Sequence, residues 1–149
     1  MNYGRIAMAA VAAWLVSIGL GYLINNVWLL RLYQANAWAF RRAEEMTPLL
    51  PLGFGLQLLA FLAFAYAYAK GYEGTGSRIG EGVRYGLVIA IMIDGFAIVW
   101  NYVTEPIALR LGILQLVEHV GEFGVYGAIV GLIYEAKTNR EGREVKIPS

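Results

Sequence analysis

Four long windows with few or no charges decide what this chain can fold into. Arg5 and Arg31 bracket 25 residues without a charge, and Glu45 and Lys70 bracket 24. Arg84 and Glu105 bracket 20, broken only by Asp94; Arg110 and Glu135 bracket 24, broken by Glu118, His119 and Glu122. A helix needs ~20 predominantly apolar residues to cross the hydrocarbon of a bilayer. Each window is long enough. The expected fold is all-α, with four transmembrane helices at about 6–30, 48–69, 83–104 and 108–134. They form an up-down bundle over residues 1–137, followed by a polar cytoplasmic tail at 138–149. Composition agrees: 58% of the residues are hydrophobic and 15% charged, against ~25% charged in an ordinary soluble domain.

A cleavable leader is the competing reading of the first window. Its apolar run outlasts the ~7–15 residues of a leader's core, and Ala9 to Ala13 lie at its start, where no cleavage site belongs. A retained first span is expected. Basic residues then set the orientation. Arg5, Lys70, Arg78, Arg84, Lys137, Arg140, Arg143 and Lys146 gather on one side; Arg31, Arg41, Arg42 and Arg110 gather on the other. The first set is the larger, which puts both termini in the cytoplasm. A net charge of +1 points to no nucleic-acid partner. The expected partners are the lipid bilayer and other membrane subunits or further copies of the chain. With no cysteine, disulfides, thiolate metal sites and c-type haem attachment are excluded.

Two connections carry information. Between Leu32 and Thr47, Tyr33, Ala37 and Phe40 fall near one helical face, with Trp38 beside them. This suits either a short interfacial helix or an irregular loop with aromatic residues. The stretch from Gly71 to Gly82 is rich in glycine but misses the G-x-G-x-x-G spacing, so a turn is expected and not a nucleotide site. Glu105-Pro106 suits the short outer turn before the fourth span.

Because lipid removes the hydrophobic drive between helices, close contact needs small residues along one stripe. Ala9, Ala13, Ser17 and Gly21 supply one in the first span, Gly82 and Gly86 in the third, and Gly127 and Gly131 in the fourth. Such stripes serve either internal packing or a partner.

The polar residues inside the windows are the candidate site. At about 100° per residue, Gln115, Glu118, His119, Glu122 and Tyr126 share an arc of roughly 100° on the fourth span. Asp94, Asn101 and Glu105 fall within about 40° on the third. Gln57 lies on the face of Phe61, Phe64 and Tyr68, and Asn25 continues the small-residue stripe of the first span. An aspartate at a helix centre costs ~2.5–3.5 kcal/mol on insertion scales, against ~0.3–0.6 gained per leucine, isoleucine, valine or phenylalanine. Insertion of the fourth span is therefore marginal unless its carboxylates are protonated, paired or hydrated. The depths of these residues predict a polar pocket that opens to the non-cytoplasmic side and closes near mid-bilayer.

Several chemistries fit. His119 with Glu122 at i, i+3, and Glu118 with Glu122 at i, i+4, suit convergence with Asp94 on a metal cation. The di-iron bundle pattern wants Glu-x-x-His on two helices, whereas this chain has one histidine, in His-x-x-Glu. Haem ligation by His119 would need a second copy for a second histidine. Intramembrane carboxylates beside a histidine also suit a proton or cation relay. Plain hydrogen bonding across helices is the simplest alternative. Ser17 and Ser77 lie far from His119 in these spans, so nucleophilic catalysis has no support and no enzyme is expected.

The second half resembles a group of small bacterial four-span membrane proteins without an assigned activity. The resemblance is carried by Lys70-Gly71-Tyr72-Glu73, by Glu81-Gly82-Val83-Arg84-Tyr85-Gly86-Leu87, by Glu105-Pro106-Ile107 and by the run from Gly127 to Tyr134. It covers about residues 66–136. It implies a compact four-helix membrane fold in a prokaryotic membrane and supplies no catalytic residue. Taken together, the expectation is an accessory or structural subunit of a membrane assembly or homo-oligomer. The alternative is proton or cation handling, or metal or haem binding, at Asp94, Glu118, His119, Glu122, Gln115, Asn101 and Gln57.

Overall fold

The computed structural model describes residues 1–74 and 76–134. Every regular element among them is helical. Four helical stretches are long and apolar enough to cross a membrane: Tyr3–Trp28, Ala37–Gly71, Arg78–Thr104 and Leu109–Ile133. This is the make-up of a multi-pass membrane protein. The expected tail at 138–149 lies outside the described residues.

The first stretch is α1 (Tyr3–Leu23), which widens into a π-helical turn at Ile24–Trp28. The connection between the first two stretches, whose end of the bundle is termed outer and the opposite end inner, holds α2 (Leu30–Ala35) and α3 (Ala43–Met46), so it forms two short helices and not the single interfacial one. Then come α4 (Leu50–Gly71) and α5 (Arg78–Ile93), the latter running into a second π turn at Asp94–Ile98 and ending as α6 (Val99–Thr104). The last is α7 (Leu109–Ile133). In the packing, α1 lies between α4 and α7, and α7 lies between α1 and α5.

The closest seam joins α5 to α7. A Cβ on Gly82 would run into the carbonyl of Gly127, and one on Gly86 into that of Phe123. In return, a Cβ on Gly127 would strike the Gly82 carbonyl, and one on Gly131 that of Arg78. Only glycine lets the two backbones come this near, and the gain is packing and weak Cα–H···O contact. On α1, Ala9, Ala10, Ala13 and Ser17 are buried. The small-residue stripes are therefore used inside the bundle. The one on α1 stops at Ser17, since a Cβ on Gly21 would meet open space.

Below that level the core is closed by Phe61, Phe64, Ala65 and Tyr68 of α4 with Tyr126, Val130 and Tyr134. Aromatic edges meet there: Phe61 with Tyr126 at 5.0 Å and Phe64 with Tyr85 at 4.8 Å between ring centroids. The Tyr85 hydroxyl donates to the Phe64 carbonyl at 2.9 Å, tying α5 to α4. At the inner turn Gly74 and Gly76 take positive φ (67° and 97°), which a side chain would resist. Ser77 then caps α5, and Glu81, itself buried, accepts from the Glu73 amide at 2.8 Å.

The outer half is built differently. From Arg41 to Ala60 every residue except Leu58 is exposed, so the first half of α4 stands away from the other spans. What closes the outer end is a clasp from the connection. The Asn36 side chain, buried, donates to the Leu32 carbonyl at 2.8 Å and accepts from the Ala108 amide at 3.1 Å. Ala108 precedes α7 and has no side-chain cap of its own, so Asn36 supplies a partner from another element.

Candidate functional site

The centre of the site is a pair. Asp94, the first residue of the second π turn, is 7% exposed, and its Oδ1 lies 3.2 Å from Nδ1 of His119 on α7. Neither atom makes a well-aligned hydrogen bond, although both are shielded from solvent. Contact across the α5–α7 seam explains why the two meet. The glycines draw the helices together below, and Asp94 and His119 stand on the continuing faces above. A carboxyl and an imidazole this close are placed so that a proton can pass between oxygen and nitrogen.

The remaining acidic residues of α7 look elsewhere. Glu118 and Glu122 line an open cleft of about 340 Å³ between α7 and the outer part of α1, whose far wall is Leu20, Ile24 and Trp28. Oε2 of Glu118 is shielded and has no hydrogen-bond partner. Tyr126 sits in side-chain contact with both Glu122 and Ser17, and Ser17 in turn donates to the Trp14 carbonyl at 2.7 Å. Gln115, one turn above Glu118 and His119, donates to the Tyr33 hydroxyl at 3.2 Å. Burial pushes the Tyr33 hydroxyl above its ordinary range, with the Gln115 hydrogen bond working against that. Tyr33 therefore keeps its proton at neutral pH.

Not every expected member joins. Asn101 is exposed on α6 and lies outside the pair. Its alignment with Asp94 assumed an unbroken α-helix. The π turn at Asp94–Ile98 takes up one extra residue, which rotates everything after it by about 100°. Gln57 shares the face of the buried Phe61 and Phe64 but is itself exposed, because α4 has already parted from the bundle at that level. Asn25 and Asn26 are also exposed. Their amides donate to the carbonyls of Gly21 (2.8 Å) and Tyr22 (3.2 Å), groups that the adjoining π turn disturbs and that lipid could not satisfy. Two contributors were missed: Asn36 and Tyr33, both on the outer connection. Their signal, a tyrosine in a short helix and an asparagine just past its end, is too common to single out.

A metal reading needs three ligands at one point. Among the described residues no three of the histidine, aspartate and glutamate side chains come close enough to hold an ion. His119 meets Asp94 across the seam while Glu118 and Glu122 lie along the side of the cleft, so the expected metal set of His119, Glu122, Glu118 and Asp94 does not converge on one point. With protein-family models, curated proteins and solved structures compared, none matches this chain.

Proposed function

We propose that this chain is a membrane protein that takes up and releases protons at the Asp94–His119 pair, in exchange with the non-cytoplasmic side. The observation that carries the reading is the 3.2 Å approach of two shielded titratable atoms with no better partner. An ionisable side chain in a span costs several kcal/mol unless paired, and such residues by default mark relays or ion paths. A structural contact would be served as well by an amide and a hydroxyl. The open outer half supports access from one side, and the aromatic core around Tyr68 and Tyr126 supports closure toward the other. The accessory-subunit expectation drew in part on small-residue stripes left free for a partner; their use within the bundle takes away that part of its support.

Purified protein in lipid nanodiscs, given a small pH jump with a pH dye in the surrounding solution, tests the reading. Proton uptake is expected with the native chain and is expected to vanish in Asp94→Asn and in His119→Gln, each checked as folded by circular dichroism and size exclusion. Uptake that persists in both variants sinks the proposal. Because the chain has no cysteine, Gln57→Cys and Phe64→Cys each carry the sole thiol. An impermeant maleimide is expected to label the first from outside and spare the second.

A further inference from the structure

Ser17 and Tyr126 are buried at the inner edge of the site, and the Asp94–His119 pair by itself gives them no role. Glu122 stands between them and the pair. It meets the Tyr126 hydroxyl on the next turn of α7 and lies within electrostatic reach of His119, one turn toward the outer end. The Tyr126 hydroxyl also meets Ser17, whose own hydroxyl donates to the Trp14 carbonyl at 2.7 Å. The rings of Phe61 and Phe123 hold the Tyr126 ring edge-on, at 5.0 and 5.5 Å between centroids. Counting hydrogens gives this row a direction. A hydroxyl has one proton to donate. That of Ser17 is committed to the Trp14 carbonyl, so the Ser17 oxygen meets Tyr126 only as an acceptor. Tyr126 then gives its single proton either to Ser17 or to Glu122. An ionised Glu122 takes that proton, and the contact between Tyr126 and Ser17 is left without a hydrogen. A protonated Glu122 donates to the Tyr126 oxygen, Tyr126 donates to Ser17, and every contact in the row is a hydrogen bond. Neutral, Glu122 also avoids the cost of a charge within a span.

We infer that Glu122 is the proton store of the Asp94–His119 pair, protonated in the resting protein and held so by the Tyr126–Ser17 row. The inference deepens the proton-exchange reading and rests on it. With Nδ1 of His119 at Asp94, Nε2 is the nitrogen left to exchange with Glu122. On release, the O–H bond of Glu122 breaks and an N–H bond forms at Nε2, while Nδ1 passes its proton to the Asp94 carboxylate. The imidazole ends neutral, as its other tautomer, and the Asp94 carboxyl delivers one proton to water. Tyr126 then turns its hydroxyl to the Glu122 carboxylate until the store is refilled. Besides His119 and Tyr126, the titratable groups near Glu122 are Glu118 on its own helix, Tyr33 on the outer connection and, beyond His119, Asp94. The neighbouring wall of α1, Leu20, Ile24 and Trp28, is uncharged. Glu118 lies one turn from Glu122 but has no partner for its shielded Oε2, so it serves as the control.

Infrared difference spectroscopy on the full chain in lipid nanodiscs, recorded across an upward pH jump, reads the C=O stretch of protonated carboxyl groups. Isotope-labelled glutamate separates Glu122 from Asp94. A glutamate carboxyl band that falls after the jump is expected, absent in Glu122→Gln and kept in Glu118→Gln. Ser17→Ala removes the acceptor of Tyr126 and frees its hydroxyl for the carboxylate. The band should then fall at a pH about 0.5–1 unit lower, the effect of one hydrogen bond. His119→Gln should keep the resting band and slow its fall at least about tenfold, since the shuttle is lost. A band that survives Glu122→Gln, a midpoint that Ser17→Ala leaves in place or raises, or an equally fast fall in His119→Gln each overturns the inference. Where one of these results accompanies lost proton uptake in Asp94→Asn, the pair stands and only the store is removed. Uptake that persists in both Asp94→Asn and His119→Gln removes the pair, and the role of the store with it.

Discussion

The inner and outer halves of this bundle solve the same problem in opposite ways. In the inner half, glycine and alanine bring backbones together and aromatic rings fill what remains, so polar side chains are few and mostly tied. In the outer half, α4 leans away, two π turns interrupt the helices, and the polar residues collect. The difference teaches that close packing and ionisable chemistry are separated by depth. The pair Asp94–His119 sits where one regime gives way to the other.

The contrast is most easily broken with glycine. Gly127→Leu is expected to cost more than about 3 kcal/mol, because the Gly82 backbone leaves no room and backbone cannot step aside. Gly55→Leu, on the outer part of α4 with open space around it, should stay within about 0.5 kcal/mol. Denaturation in mixed micelles measures both, and equal losses would erase the distinction between the halves. At the boundary, Asp94→Ala strands Nδ1 of His119 and should cost about 1–3 kcal/mol, with Asp94→Asn costing less because an oxygen is retained. At the outer end, Asn36→Ala removes the partner of the Ala108 amide, with an expected loss of about 1–2 kcal/mol on the same scale.

The finest test uses two tyrosines of the inner half. Tyr85→Phe loses the bond to the Phe64 carbonyl and should cost about 0.5–1.5 kcal/mol. The Tyr68 hydroxyl is shielded and has no hydrogen-bond partner, so Tyr68→Phe should be neutral or slightly stabilising. A matching loss in Tyr68→Phe would mean that its hydroxyl is satisfied after all, and that the inner core is wetter than the contacts suggest.

Much of the fold could be read from the windows between charges, because an apolar run of this length has one good use. The glycine stripes at Gly82, Gly86, Gly127 and Gly131 were legible too, since spacing alone puts them in line. The meeting of Asp94 with His119 followed from both facing inward on neighbouring spans. The errors trace to rotation and lean. No residue type announces a π turn, so the placement of Asn101 inherited a helical register that the turn at Asp94–Ile98 breaks. Gln57 lies on the correct face of α4, but periodicity does not say at what height a helix leaves its neighbours. Which acidic residue meets His119 across the seam and which lies toward the first span depends on where α1 packs, and that is a tertiary fact.

The short turn from Glu105 to Ala108 between Asp94 and its partner bears on how the protein is made. A nascent third span emerging by itself would present an uncompensated aspartate to the translocon, and the imidazole that answers it is synthesised 25 residues later. The last two spans are therefore expected to enter the membrane together, as one hairpin, and a chain cut after Thr104 and extended by a long polar spacer should insert its third span less completely than the chain that carries the fourth.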